Sequence, residues 1–202
     1  MIFECKSIKN PIENIITKEK GSKFLGYAYP VQDEEEVKQI LGELRQKYPD
    51  ATHHCYAYRL GFEGEVYRAN DDGEPNGTAG LPIYNQLLSR ELTYCLVVSI
   101  RYFRGIKLGV SGLIKAYKES AELTLNEAEI RIIEKMKDVS VKFPYTSQGV
   151  VMRNVEKFQA QILKQKYLAD CTLDLRLSLK KYQSFVNSFE PFNEILITSQ
   201  VD

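Results

Sequence analysis

The chain has 202 residues, enough for one large domain or two small ones, each able to bury a core. Its 27 Lys and Arg balance 27 Asp and Glu, so no global field marks a polyanion-binding protein, and any nucleic-acid contact must rest on a local patch. Cys5, Cys55, Cys95 and Cys171 form no C-x-x-C pair, MIFECKSIKN carries no apolar signal core, and no apolar run is long enough to span a bilayer, which together point to a reducing cytoplasm without zinc cage, disulfide framework or membrane anchor.

Taken along the chain, IENIIT and KFLGYAYPV read as two strands turned at Lys20-Gly21-Ser22. DEEEVKQILGELRQKY follows, with Val37, Ile40, Leu41 and Leu44 spaced for one helical face and acids at its positive end. HHCYAYRL (53–60) and GEVYRAN (64–70) predict a hairpin turned between Gly61 and Gly64. After NDDGEPNGTAG, a short helix begins between Thr78 and Leu81, where Pro82 is tolerated because a first-turn amide has no intrahelical partner to lose. LTYCLVVSIRYF (92–103) is apolar on both faces at its centre and reads as a covered strand. GLIKAYKESAELTLNEA is a second amphipathic helix, and a junction is expected near 128–137.

Beyond that junction the pattern is strand (139–143), helix (146–158), strand (161–167), strand (171–178), helix (179–189), strand (194–200). The order βαββαβ predicts a ferredoxin-like domain, so the division expected is 1–132 and 133–202. Strand DCTLDLRLS sends Thr172, Asp174, Arg176 and Ser178 outward with no aromatic among them, which argues against base stacking on that sheet.

Three stretches carry candidate chemistry. His53, His54 and Cys55 are consecutive, but on a strand His54 lies with Tyr56 and Tyr58 while His53 lies with Cys55, so the triplet cannot converge on one ion. In RYFRGIKLGVSGLIKAYKES, Arg101, Arg104, Lys107, Lys115 and Lys118 face a single acid, Glu119, and Gly105, Gly109 and Gly112 precede a helix. Such glycines can turn amides inward and the helix start favours negative charge, so an anion cradle competes with a plain turn. It is not a Walker A loop, because the G-K-[ST] end is missing. Asp71, Asp72 and Glu74 suit a hard cation or a proton transfer, and equally the needs of an acidic turn.

HHCYAYRLG, NDDGEPNGTAGLPI and VVSIRYFRGIKLGVSGLIKAY, in this order and spacing, resemble the YigZ/IMPACT family of bacteria and eukaryotes. The resemblance implies an α/β (α+β) chain whose N-terminal domain shares the fold of the second domain of ribosomal protein S-five. It implies a ferredoxin-like C-terminal domain similar to one of elongation factor G. The eukaryotic member regulates translation initiation by countering activation of the general-control eIF-two-alpha kinase, and it also carries an RWD interaction domain that these residues do not contain. Positions matching the family motifs include His54, Cys55 and Tyr58, then Asp71, Asp72, Glu74 and Thr78, then Arg101, Tyr102, Gly105, Lys107 and Gly109. Arg104 and Ser111 stand where the family usually has glycine, and Lys115 where it has arginine, which keeps the charge and loses the bidentate fork.

The resulting expectation is a cytoplasmic, non-catalytic, two-domain protein that binds RNA, the ribosome or a translation-regulatory protein, without metal or cofactor. Arg101, Arg104, Lys107 and Lys115 are its expected phosphate contacts, with Tyr102, Gly105 and Gly109 completing the loop. The rival expectation is a metal-assisted hydrolase in which Asp71, Asp72 and Glu74 hold the cation. A third is that the acidic and basic motifs neutralise each other across a packed junction.

Overall fold

The computed structural model describes residues 2–167 and 170–199. Its contacts divide the chain into two compact units, one spanning Glu4–Ile133 and the other built from Glu134 onward together with Ile2 and Phe3.

The first unit is organised by strands β2 (Ile12–Glu19), β3 (Ser22–Pro30), β4 (His53–Leu60), β5 (Val66–Asn70) and β6 (Cys95–Tyr102). They form one antiparallel sheet in the order β2-β3-β6-β4-β5. CLVVSIRY is buried along nearly its whole length, and accordingly β6 takes the central place, where both faces are covered. Helix α1 (Glu34–Lys47) covers one face, packing Val37, Leu41 and Leu44 against Leu25, Tyr27, Tyr56, Tyr58 and Val98. Its start is set by Asp33, whose Oδ1 accepts the N–H groups of Glu35 and Glu36, each at 2.9 Å. Helices α2 (Gly80–Ser89) and α3 (Gly109–Asn126) cover the other face, over Phe24, Ala28, Cys55, Ala57 and Val97.

Two local expectations are corrected. The junction anticipated near 128–137 contains a strand, β7 (Ile130–Glu134), which pairs with β1 (Glu4–Ile8), a strand the local pattern does not reveal. Neither segment has a strong alternation of its own, and each becomes a strand because the other supplies its backbone partner. Residues 92–94 are likewise outside β6, because Leu92 bridges Lys6 and the Thr93 N–H donates to the Lys6 carbonyl at 2.9 Å.

In the second unit β8 (Met136–Phe143), α4 (Gln148–Phe158), β9 (Gln161–Tyr167), β10 (Cys171–Ser178), α5 (Leu179–Asn187) and β11 (Leu196–Ser199) follow the expected order. The strands align as β11-β8-β10-β9, all antiparallel, which is the split-βαβ, ferredoxin-like arrangement. Cys171, Leu173, Leu175 and Leu177 point into the core with Val139, Val141 and Phe185. On the opposite face Arg176 clasps its cross-strand neighbour Asp138 through two bonds of 2.7 Å. The strand expected at 194–200 is shorter, and its last position lies outside the described residues.

Candidate anion and nucleotide site

The acidic loop is held by backbone hydrogen bonds. Asp71 Oδ1 accepts the N–H groups of Ala79 and Gly80, and its Oδ2 accepts that of Gly77, all at 2.9 Å. It therefore caps α2 from eight and nine residues upstream, where the N-cap residue, Ala79, has no side-chain acceptor to offer. Gly80 is required there, since a Cβ would come within 2.4 Å of the Asn70 backbone nitrogen. Thr78 is buried and donates to the Pro75 carbonyl at 2.6 Å.

Asp72 ties the loop to β4 and α1. Its Oδ2 accepts the His54 N–H at 2.7 Å and its Oδ1 accepts from Arg45 Nη2 at 2.9 Å. Its carbonyl lies 2.8 Å from His53 Nδ1. The residue sits at φ +42°, in the left-handed region that Asp tolerates better than most side chains.

Glu74 turns inward. Its Oε1 accepts from Arg101 Nη1 at 2.5 Å and from the Tyr117 hydroxyl at 2.7 Å, with His53 Nε2 at 3.8 Å. The Glu74 and Arg101 side chains are only 4% and 5% exposed, so this is a buried ion pair. Arg101 also donates to Ser22 Oγ at 3.1 Å and lies over the rings of Phe24 and Phe103. Cys55 Sγ is 3.0 Å from the Asp71 carbonyl and 3.3 Å from the Tyr117 hydroxyl, either of which can accept its single proton. Burial pushes the Cys55 thiol well up from its ordinary value, so Cys55 is held as a neutral thiol and not as a nucleophilic thiolate. Burial likewise raises the Tyr117 hydroxyl, which stays protonated and serves as a donor.

The carboxylates are thus committed to helix, strand and arginine. Among the described residues no group of three His, Cys, Asp or Glu side chains is arranged to hold a metal ion. The junction of the acidic and basic motifs is the neutralising one: Glu74 meets Arg101.

The loop between β6 and α3 behaves differently. Arg104 and Lys107 are exposed, and among the described residues neither makes an ion pair. Helix α3 begins at Gly109, whose φ of +72° suits a residue without Cβ, and no side chain caps its first turn. A cavity of about 340 Å³ opens at this helix start, with Glu74 and Arg101 among its lining residues, Phe103 and Lys107 from the loop, and Val110 and Leu113 from the helix. A second cavity of about 500 Å³ is lined by Lys18, Lys23 and Arg104, with Ile16 and Ser22. The Arg101–Ser22 hydrogen bond links a lining residue of one cavity to a lining residue of the other.

The structure separates several residues that share a motif. Arg101, expected as a surface phosphate contact, is buried beneath the loop, because β6 alternation turns it to the side of Phe24 and Tyr117. Tyr102 takes the opposite side and packs against the α1-facing core. Lys115 lines another cavity, beside Glu119 and Glu122, and does not join Lys107. Gly105, at φ +88°, turns the chain within the loop. On β4, His54 and Tyr58 face α1 while Cys55 faces α2 and α3, as alternation requires. Sequence reading passed over Lys18 and Lys23, although the basic run KEKGSK around the Gly21 turn was a visible signal. It also passed over Val110 and Leu113 as cavity residues, for which helix periodicity gives no signal.

Residues 20–125, which contain four of the five strands of the sheet, the acidic loop and both cavities except Ile16 and Lys18, match the Impact N-terminal domain family. The chain is 31% identical over 185 residues to IMPACT family member YvyE of Bacillus subtilis, covering 92% of this chain and 85% of that protein. It is 32% identical over 170 residues to an IMPACT family member of Haemophilus influenzae, covering 82% of each. A crystal structure of a hypothetical protein superposes over the full length of both chains with a TM-score of 0.72 at 24% identity, a likeness of fold. With the family's domain covering most of its first unit and a relative matched along most of its length, the chain belongs to the IMPACT family.

Proposed function

We propose that this IMPACT family member is a translation-associated RNA-binding protein without catalysis of its own. The observation that carries the reading is the cavity bordered by Lys18, Lys23 and Arg104, which has no acidic residue in its lining. Lys107 lines the other cavity, at the start of α3, and among the described residues none of the four cations is engaged in an ion pair. Cations held close together without counter-charges attract a phosphate backbone even when the net charge of the chain is zero. Family membership supports the link to translation, and ribosomal RNA is the natural partner for a surface of this kind. Arg101 acts here through position, fixing the loop from beneath, while Arg104 and Lys107 make the contacts.

Co-sedimentation with ribosomes and filter binding to RNA, each across a salt series, test the proposal. The logarithm of the affinity falls linearly with log salt, and the triple variant Lys23→Ala, Arg104→Ala, Lys107→Ala flattens that slope by roughly 0.7 per lost contact on single strands. Binding that is absent in the unaltered protein, or identical in the triple variant, would reject the reading.

A further inference from the structure

The cavity at the start of α3 has a composition that phosphate binding does not require. One wall is apolar, built from Val110, Leu113 and the exposed ring of Phe103. Its floor carries Glu74, whose side chain is 4% exposed and whose Oε2 accepts no hydrogen bond among the described residues, both recorded bonds falling on Oε1. Lys107 and the uncapped first turn of α3 supply positive potential at the mouth. A bare anion would gain from the mouth but give the apolar wall and Glu74 Oε2 nothing to bind. An apolar ligand alone would leave the carboxylate oxygen without a partner, at a cost. The lining suits a molecule with a flat apolar body, an N–H donor at one end and an anionic group at the other. A nucleotide has that layout: a base face for Phe103, an exocyclic amine for Glu74 Oε2, and a phosphate for Lys107.

We infer that this cavity receives one unstacked nucleotide of a single-stranded RNA, selecting a base that carries an exocyclic amine. The inference rests on the RNA-binding reading above and adds to it a defined subsite. Geometry supplies the neighbouring contacts. The Arg101–Ser22 bond connects the nucleotide cavity to the one lined by Lys18, Lys23 and Arg104, so a strand whose base enters the first finds cations for its adjoining phosphates at the second. The loop between β6 and α3 also rests near the β2–β3 turn, since a Cβ placed on Gly21 would lie 3.8 Å from Ile106 Cδ1. Arg101 has a supporting part: by holding Glu74 Oε1 it orients the carboxylate and leaves Oε2 to the ligand.

Cytidine and uridine provide the test, because both stack weakly and differ where one has an amine and the other a carbonyl. Fluorescence anisotropy with short oligocytidylate and oligouridylate, and calorimetry with CMP and UMP, measure the preference. Cytidylate is expected to bind about tenfold to a hundredfold tighter, the yield of one hydrogen bond to a charged group. Phe103→Ala and Val110→Trp, both at exposed positions, should remove the preference by deleting the stacking face or obstructing the mouth. Glu74→Gln should also weaken it, but that change touches a buried pair, so the two exposed variants keep the test valid if it misfolds. Equal binding of both oligomers, unchanged by Phe103→Ala and Val110→Trp, would overturn the subsite while leaving salt-dependent RNA binding intact. Binding of CMP with no binding of any RNA would overturn the RNA source and assign the cavity to a free nucleotide.

Discussion

The loop over residues 71–80 and the loop over residues 103–108 lie in the same unit, and each carries a concentration of one charge. In the first, Asp71, Asp72 and Glu74 are all turned to structural partners: three backbone N–H groups, a strand amide with Arg45, and the pair Arg101 and Tyr117. In the second, Arg104 and Lys107 extend into solvent without a counter-ion among the described residues. The difference shows that a run of like charges predicts chemistry only after its internal bonds are subtracted. Carboxylates are short and accept directly from nearby amides, so an acidic loop readily closes on itself, whereas long basic side chains keep their heads in water.

The comparison can be broken most sharply at its one point of contact. Arg101→Ala leaves Glu74 buried without its cation and should cost about 3–5 kcal/mol, read by urea denaturation. If the variant is as stable as the parent, the acidic loop is not held from within. Asp71→Ala deprives three amides of their acceptor and should cost about 2 kcal/mol by the same measurement. Gly80→Ala forces a Cβ toward the Asn70 backbone and should cost roughly 1–3 kcal/mol, since the neighbour is main chain and cannot swing aside.

His54 sharpens the same contrast through pH. Burial lowers its pKa below the ordinary histidine value, with Asp72 opposing that shift and Arg45 and His53 adding to it. The folded state therefore binds fewer protons than the unfolded state near pH 6, and stability is fully present above about 6.5 and falls as the solution is acidified through the lowered value. His54→Gln should show a smaller drop in Tm between neutral and mildly acidic buffer, and an unaltered drop would point to another group. The smallest stability effect belongs to the basic loop. Arg104→Ala and Lys107→Ala should each change stability by no more than about 0.5 kcal/mol while reducing RNA affinity, the reverse of the acidic-loop pattern.

Much of the scaffold was legible locally. Alternation in HHCYAYRL and the double-sided apolar centre of CLVVSI gave strands with the right faces, and the spacing of Val37, Leu41 and Leu44 gave α1. The pair β1 and β7 was not legible, because a strand stabilised by a partner more than a hundred residues away has no local marker. The same limit applied at the site. Asp71 as a remote cap, Arg101 as a buried ion, and Lys18 and Lys23 as neighbours of Arg104 all depend on distances across the sheet.

By itself the sequence determined the order of most elements and the family, because periodicity and motif spacing are properties of neighbouring residues. Tertiary structure alone decided which charges meet. It closed the acidic loop on Arg101 and the α2 amides, and it left Arg104 and Lys107 open, each beside a cavity of its own. The reason is physical: Coulomb attraction and hydrogen bonding act between atoms a few ångströms apart, and only the folded sheet brings Glu74 to Arg101 and sets Lys18 and Lys23 around one cavity with Arg104.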